Sequence, residues 1–250
     1  EHFGLTPAQT GWAVSSVVLG SIIGAVSAGT VALKYGRRSA LFLSAVLFII
    51  SAIGSAIAPT FTIYVLLRIV GGVAVGIACV VSPMYMSEVA PKDFRGRAVS
   101  MFQQSAVIGQ TGVFYVNYLI AKGMSEAWLV DVGWRWMLAS EVLPATLFGC
   151  LLIMIPESPR WLVLKGQIGK AKETLSRISN PEHADRVILE IQKSLVPVNA
   201  SKNSKISLRS PLLFSILVIG TFVAAAQQLT GINVIMYYTP EILKPIAGGT

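Results

Sequence analysis

ALFLSAVLFIISAIGSAIA, residues 40–58, is an apolar run without a single charged side chain. As an α-helix it rises about 28 Å, close to the thickness of the hydrocarbon core of a bilayer. Five further apolar segments of similar or greater length lie at residues 11–32, 63–86, 97–121, 135–155 and 212–243. We therefore predict an all-α membrane protein with six transmembrane helices.

The composition supports a membrane protein. Hydrophobic residues make up 54% of the chain and charged residues 13%, with a mean hydropathy of +0.67, whereas soluble domains carry about 25% charged residues. Cys79 and Cys150 lie inside apolar runs, which predicts buried free thiols rather than a disulfide or metal framework. His2 and His183 lie in polar segments, and no nucleophile with a base or phosphate-binding loop is evident. We expect neither an enzyme nor a bound cofactor or metal.

The net charge of +8 has its source in the loops between the apolar runs, so it does not indicate nucleic acid as a partner. The first, third and fifth loops hold 16 of the 20 basic residues, which places these loops in the cytoplasm and both chain ends outside. Such an arrangement suggests that a helix is missing at the front. The predicted divisions are residues 1–155, five helices of an N-terminal bundle; 156–211, a cytoplasmic loop with short helices; and 212–250, the first helix of a C-terminal bundle.

Three amides follow one another along the fourth apolar segment. Gln103, Gln110 and Asn117 are spaced by seven residues, which places them within about 40° of one another on a helix. Amides within a bilayer need hydrogen-bond partners. The stripe therefore faces either a neighbouring helix or a water-filled cavity.

The sixth segment is the most polar of the six. Gln227 and Gln228 precede Gly231 and Asn233, and Tyr238 follows. Gln228 and Asn233 point about 140° apart on an ideal helix, so they face one ligand only if the backbone breaks at Gly231. Broken helices at mid-membrane are typical substrate sites of transporters. Neutral amides and aromatic rings suit a sugar, although a polar contact between packed helices remains the alternative.

Two charges lie within the predicted helices. Arg68 in the third and Glu141 in the fifth are each about six residues from the outer end, at similar depth, so they can pair. Such a pair is suitable for proton coupling, because protonation of a nearby acid changes the pairing. The alternative is that Arg68 extends to the outer surface.

A set of ordered motifs runs along the whole chain and resembles the sugar porter family of the major facilitator superfamily. The motifs are Gly36-Arg37-Arg38, Arg68 with Gly72 and Gly76, Tyr85-Met86-Ser87-Glu88 with Pro91 and Arg95-Gly96-Arg97, Pro156-Glu157-Ser158-Pro159-Arg160-Trp161-Leu162, and Gln227-Gln228-Leu229-Thr230-Gly231-Ile232-Asn233.

The resemblance implies a partial helical bundle, helices two to seven of twelve, without the first helix and the last five. It implies roles for three groups of residues. The sugar ligands are Gln103, Gln227, Gln228 and Asn233, with Gln110 and Tyr238 as additions. Arg68 and Glu141 belong to the proton-coupling network. A cytoplasmic latch between the two halves of the carrier comprises Arg37, Arg38, Glu88, Arg95, Glu157 and Arg160. One departure is Leu33, which occupies a position that is acidic in much of the superfamily.

The implied function is sugar transport by alternating access, with proton-coupled uptake of a pentose such as D-xylose. The implied partners are a monosaccharide, a proton and the lipid bilayer, and the full-length protein is expected to be a monomer in the cell membrane with several crossings. A passive pentose or hexose facilitator and a transporter-like sugar sensor are the alternatives.

Overall fold

The structure is a computed structural model that describes residues 4–178, 181–200 and 211–231. Every regular element in these ranges is a helix, which agrees with the prediction of an all-α protein. Contacts within the chain divide it into two compact units, Glu1–Ser194 and Leu195–Thr250.

The first unit starts with three long helices, α1 (Pro7–Tyr35), α2 (Arg37–Ile57) and α3 (Phe61–Val89). A 3-10 turn (Lys92–Phe94) leads into α4 (Arg95–Ala121). The next membrane-length segment consists of α5 (Glu126–Trp128), a π-helical turn (Leu129–Gly133), α6 (Trp134–Ala139) and α7 (Val142–Met154). Three helices follow it, α8 (Pro159–Leu164), α9 (Ile168–Ile178) and α10 (Pro181–Ala200), the last of which ends in the second unit. The second unit also contains α11 (Pro211–Leu229).

Local sequence signals set the helix ends. Thr6 caps α1 by accepting a hydrogen bond from Gln9 N at 3.3 Å, and Pro7 occupies the first helical position, where no amide hydrogen is needed. The Thr60 hydroxyl caps α3 in the same way. Gly36 ends α1 with φ of +103°, a conformation that favours glycine.

Helices α1 and α3 are in close contact through glycines. A Cβ atom added to Gly20 or Gly24 would collide with backbone carbonyls of α3, and one added to Gly72 or Gly76 would collide with carbonyls of α1. The absence of side chains at all four positions lets the two backbones touch, which is how helices pack without a hydrophobic driving force in lipid. The spacing of small residues by four thus positions the helix that carries Arg68.

Four described helical segments are long and apolar enough to cross a membrane: Ala8–Tyr35, Arg37–Ile57, Phe61–Val89 and Glu126–Met154. They correspond to the first, second, third and fifth predicted crossings. Helix α4 has the length of a crossing but is less apolar, because its amides and hydroxyls interrupt the run. The sixth predicted crossing, 212–243, begins with α11, and its residues after 231 lie outside the described part of the chain.

The predicted short helices after the fifth crossing are present. In the first unit, α9 packs on the start of α10 through Leu175, Ala184 and Ile188. Lys172 Nζ and Asp185 Oδ1, 2.7 Å apart, form an exposed ion pair across the same contact.

The two cysteines differ from the prediction. Cys79 and Cys150 are free thiols, but both are exposed on the described unit, so the expectation that they are buried is wrong. A membrane helix is apolar on its outer face as well as on its packed face, and apolar neighbours in sequence therefore do not imply burial.

Candidate functional site

Helix α4 carries the first group of predicted sugar ligands. The helix is continuous from Arg95 to Ala121 and contains no buried residue. Gln103 is exposed, and Gln110 and Asn117 are half-buried. Asn117 Oδ1 is enclosed, yet it accepts no hydrogen bond from any described residue. These amides are therefore placed on one helix, outside the packed core of the first unit.

The second group lies at the end of α11, in the second unit. Gln227 and Gln228 occupy its last turn, and Thr230 Oγ1 donates a hydrogen bond to Gln227 O at 2.6 Å. The helix ends at Leu229, and Gly231 has φ of +74°, which agrees with the predicted break at this glycine. Asn233 and Tyr238 lie outside the described residues. A shared site for the amides of α4 and α11 stays a prediction.

Arg68 lies in α3 and Glu141 lies directly before α7, both in the first unit. Both are half-buried, and they do not form one of the ion pairs within 4.0 Å that the described residues make. Arg68 Nε is enclosed and has no hydrogen-bond partner among the described residues. The guanidinium thus retains a donor that no described group uses.

Arg37 and Glu88 form a buried ion pair between α2 and α3. Arg37 Nε donates to Glu88 Oε2 and a terminal nitrogen donates to Glu88 Oε1, both at 2.9 Å. Only 5% of the Arg37 side chain and 9% of the Glu88 side chain are exposed. The Ser158 hydroxyl donates a further hydrogen bond to Glu88 Oε2. Two parallel hydrogen bonds match the planar guanidinium to the carboxylate, which is the strongest form of this pair.

Glu157 caps the start of α2, although it lies 120 residues after Arg37 in the sequence. Its Oε1 accepts hydrogen bonds from the backbone N of Arg37 at 2.9 Å, of Arg38 at 3.1 Å and of Ser158 at 2.8 Å. The first amides of a helix lack partners within the helix and carry partial positive charge, so a carboxylate stabilises them. A Cβ atom on Gly36 would collide with this carboxylate. Gly36 thus both ends α1 and makes room for Glu157.

The side chain of Arg38, at the start of α2, caps the end of α7 in turn. Its Nε donates to Leu152 O at 2.8 Å and a terminal nitrogen donates to Ile153 O at 2.9 Å. These carbonyls belong to the last turn of α7, where no helix partner is available. The start of α2 and the end of α7 are therefore held together in both directions.

The structure joins only part of the predicted latch. Arg37, Arg38, Glu88 and Glu157 form one connected network in the first unit. Arg95 and Arg160 are exposed and make no ion pair within 4.0 Å among the described residues. The latch function of all six residues stays a prediction.

Sequence reasoning missed three members of this network. Ser158 binds Glu88, Tyr85 donates to Pro156 O at 2.8 Å, and Trp161 Nε1 donates to Leu33 O at 3.0 Å. All three lie inside the recognised motifs. Which residues they bind was not predicted, because two of the three acceptors are backbone carbonyls, which a sequence does not distinguish.

An open apolar groove of about 730 Å³ lies between α4 and the α6–α7 segment. Ile120, Trp136, Leu143 and Leu147 are among the residues that line it, and none of the predicted sugar ligands does. Its lining is mostly apolar, and Ser140 and Thr146 supply its side-chain hydroxyls.

Residues 4–247 match the family described as "Sugar (and other) transporter". This chain belongs to that family. Family membership confirms the resemblance found in the motifs, and the family is one of transporters rather than enzymes. Together with the four helices that can cross a membrane, it makes the chain a multi-pass protein of the cell membrane.

Relatives within the family are close. The chain is 39% identical over 260 residues to a D-xylose-proton symporter of Escherichia coli, covering 96% of this chain and 52% of that protein. It is 34% identical over 249 residues to an arabinose-proton symporter of Bacillus subtilis, covering 100% and 53%. The chain thus spans about half the length of the curated relatives it matches.

A solved structure shows the same fold. A partially occluded inward-open conformation of the E. coli xylose transporter XylE superimposes with a TM-score of 0.83 at 38% identity, covering 94% of this chain and 56% of that one. The predicted fold class, a partial helical bundle of the major facilitator superfamily, is confirmed.

Proposed function

We propose that this chain is part of a carrier that takes up a pentose such as D-xylose together with a proton, by alternating access. Its family is a transporter family. Two relatives with at least 34% identity are named for xylose-proton and arabinose-proton symport, and both of these sugars are pentoses.

The observation that carries this proposal is the row of amides on α4, of which Gln103 is exposed and Gln110 and Asn117 are half-buried. An amide both donates to and accepts from hydroxyl groups, so a row of amides suits a solute that is rich in hydroxyls and without charge. The side chain of Gln103 is exposed, which leaves its amide accessible to a substrate. We assign Gln103, Gln110, Gln227, Gln228, Asn233 and Tyr238 to the sugar site.

Proton coupling is assigned to Arg68 and Glu141. Both residues are half-buried and make no ion pair within 4.0 Å among the described residues, and Arg68 Nε has no described partner. An arginine with a free donor can exchange one carboxylate for another, and a proton bound to either acid changes that choice. This exchange would link proton binding to the conformation of the carrier.

The latch is assigned to Arg37, Arg38, Glu88 and Glu157, together with Arg95 and Arg160. The first four hold α2, α3 and the segment after α7 together. The last two are exposed at the same predicted cytoplasmic side. Exposed arginines beside a rigid network can pair with acids of the other half of the carrier and release them as the carrier reorients.

The remaining proposed partner is the lipid bilayer, and we propose a monomer as the working unit.

Binding measurements test the sugar site. The protein as encoded by its gene is purified, and the affinity for xylose, arabinose, glucose and galactose is measured by isothermal titration calorimetry, with Gln228→Ala alongside. We expect xylose to bind most tightly and Gln228→Ala to weaken binding about tenfold or more, because hydroxyls lose a hydrogen-bond partner. Unchanged affinity in Gln228→Ala would remove the site assignment.

Transport measurements test the coupling. Proteoliposomes with a trapped pH-sensitive dye are given xylose outside, and we expect the lumen to acidify as sugar enters. Sugar entry without acidification would contradict symport and favour a passive facilitator. The absence of both sugar entry and sugar binding would contradict the carrier itself.

A further inference from the structure

Three residues form a contact at the opposite end of α2 from Arg37. Arg135 donates to Ala56 O at 2.8 Å and to Ala58 O at 3.4 Å. Its guanidinium carbon lies 4.5 Å from the centre of the Trp134 ring. The Trp134 ring meets the Tyr64 ring edge to face, with 6.3 Å between centroids and 79° between planes. We call Tyr64, Trp134 and Arg135 the aromatic clamp.

The clamp joins three helices. The carbonyls of Ala56 and Ala58 lie at the end of α2, where they lack partners within the helix and carry partial negative charge. Ala58 is fully buried, so its carbonyl depends on a protein donor. Arg135 supplies that donor from the first turn of α6, and Tyr64 extends the contact to the first turn of α3.

The clamp repeats, at the other end of the same helices, the contact made by Arg38. Arg38 starts α2 and caps the end of α7, whereas Arg135 starts α6 and caps the end of α2. Each arginine lies two residues after a glycine, in Gly36-Arg37-Arg38 and Gly133-Trp134-Arg135. Helix α2 and the α6–α7 segment are thus held at both ends by arginines placed alike in the sequence.

The aromatic clamp lies on the same helical segments as Arg68 and Glu141, one to two turns away from them. Tyr64 precedes Arg68 by four residues, about one turn, so the two share a face of α3. Trp134 precedes Glu141 by seven residues, about two turns, and the turn tightens before α7, where the N–H of Glu141 binds Leu138 O. The backbone between them stays right-handed helical, with φ of −59° at Ser140 and −63° at Glu141. The ring contact and the two charged residues therefore follow one another along the same pair of helical segments.

The clamp also accounts for the gap between the charges. From the clamp inward, Arg68 is about 6 Å further along α3 and Glu141 about 10 Å further along α6 and α7. Measured from the ring contact, the two offsets differ by about 4 Å. The expectation from the sequence that the two charges lie at similar depth thus does not hold for their backbone positions, and they make no ion pair within 4.0 Å among the described residues.

We propose that Arg135 is a positioning residue for proton coupling: it fixes Trp134 against Tyr64 and thereby sets the separation of Arg68 and Glu141. This inference rests on the proposed function, because it concerns how tightly proton movement follows sugar movement. Arg135 touches neither of these two charges by any hydrogen bond in the described structure. Its effect passes through the placement of the helices.

The test measures protons moved per sugar, which a merely structural residue would leave unchanged. Proteoliposomes of the protein as encoded by its gene are compared with Arg135→Gln, Arg135→Lys and Tyr64→Leu. Lys122→Gln serves as a matched control, since Lys122 is an exposed cation over the Tyr118 ring near the same end of the bundle. Sugar affinity is measured on the same samples.

We expect Arg135→Gln to lower the ratio of protons to sugar about twofold or more with sugar affinity unchanged, Arg135→Lys to retain part of the ratio, and Lys122→Gln to match the unchanged protein. A wild-type ratio in every variant that folds would overturn the proposal, whatever the loss of thermal stability. If Arg135→Gln does not fold, Arg135→Lys and Tyr64→Leu decide. If the protein without any substitution moves sugar without protons, the proton coupling in the proposed function is overturned instead. Failure of the Arg135 proposal and failure of the proposed function are therefore distinguishable.

Discussion

The Glu157 carboxylate occupies the space that a side chain on Gly36 would take. The two residues are far apart in the sequence, and their contact brings the capping carboxylate to the first turn of α2. Gly36 also has φ of +103°, so two separate constraints require glycine at one position.

The first prediction concerns this contact. Gly36→Ala should lower the melting temperature by about 5 °C or more, because it adds backbone strain and displaces Glu157 from three amides. Tryptophan fluorescence during heating in detergent measures the change. Gly29→Ala is the control, since an added Cβ at Gly29 meets no atom within 4 Å. Equal melting temperatures for the two variants would contradict the interpretation.

The second prediction concerns the buried ion pair. Glu88→Gln leaves the Arg37 guanidinium buried without a counter-charge, and we expect a loss of about 3 kcal/mol in the free energy of unfolding. Glu173→Gln breaks an exposed ion pair, in which the Glu173 side chain is 61% exposed and the Arg177 side chain 69%. This substitution should change the free energy of unfolding by less than about 0.5 kcal/mol. Denaturant titration in detergent compares the two. A similar cost for both would show that burial of the Arg37 pair has no effect.

The third prediction concerns the glycine contact between α1 and α3. Gly72→Ala should separate the two backbones and cost about 2 kcal/mol or more, because a Cβ there collides with the Val17 carbonyl and the backbone of the opposite helix. Gly109→Ala in α4, where an added Cβ meets nothing within 4 Å, should be neutral or slightly stabilising. Thermal unfolding of both variants checks this, and a stable Gly72→Ala protein would disprove the close contact.

The fourth prediction separates function from stability on α4. Gln103 is exposed, so Gln103→Leu should change the free energy of unfolding by less than about 0.5 kcal/mol. The same variant should bind xylose about tenfold more weakly, because one hydrogen-bonding amide is lost. Calorimetry and thermal unfolding on one preparation measure both. Loss of stability with unchanged affinity would make Gln103 a packing residue.

Much of the fold was accessible from the sequence because bilayer thickness fixes the length of an apolar run. The run 40–58 predicted α2, which spans Arg37–Ile57, and the run 97–121 predicted α4, which spans Arg95–Ala121. The structure pairs Gly20 and Gly24 with Gly72 and Gly76, and small residues spaced by four favour such close packing in lipid. Periodicity and length sufficed for these features, since both are local properties.

The network of Arg37, Arg38, Glu88 and Glu157 could be predicted only in part from the sequence. Its acids and arginines were recognisable by motif, but Glu157 binds backbone amides 119 and 120 residues away. Such a contact depends on the conformation of Gly36 and on the course of the chain after α7. The aromatic clamp was missed for the same reason, since Arg135 binds carbonyls at Ala56 and Ala58. Any residue offers a carbonyl, so no pattern of residue types indicates the acceptor.

Three backbone amides converge on the carboxylate of Glu157. The N–H groups of Arg37 and Ser158 meet at Oε1, and the N–H of Arg38 divides its bond between Oε1 and Oε2. Loss of this one side chain would therefore remove the capping bonds of all three amides together. The Arg38 side chain would still bind the carbonyls of Leu152 and Ile153, so the junction between α2 and the residues after α7 has two independent attachments.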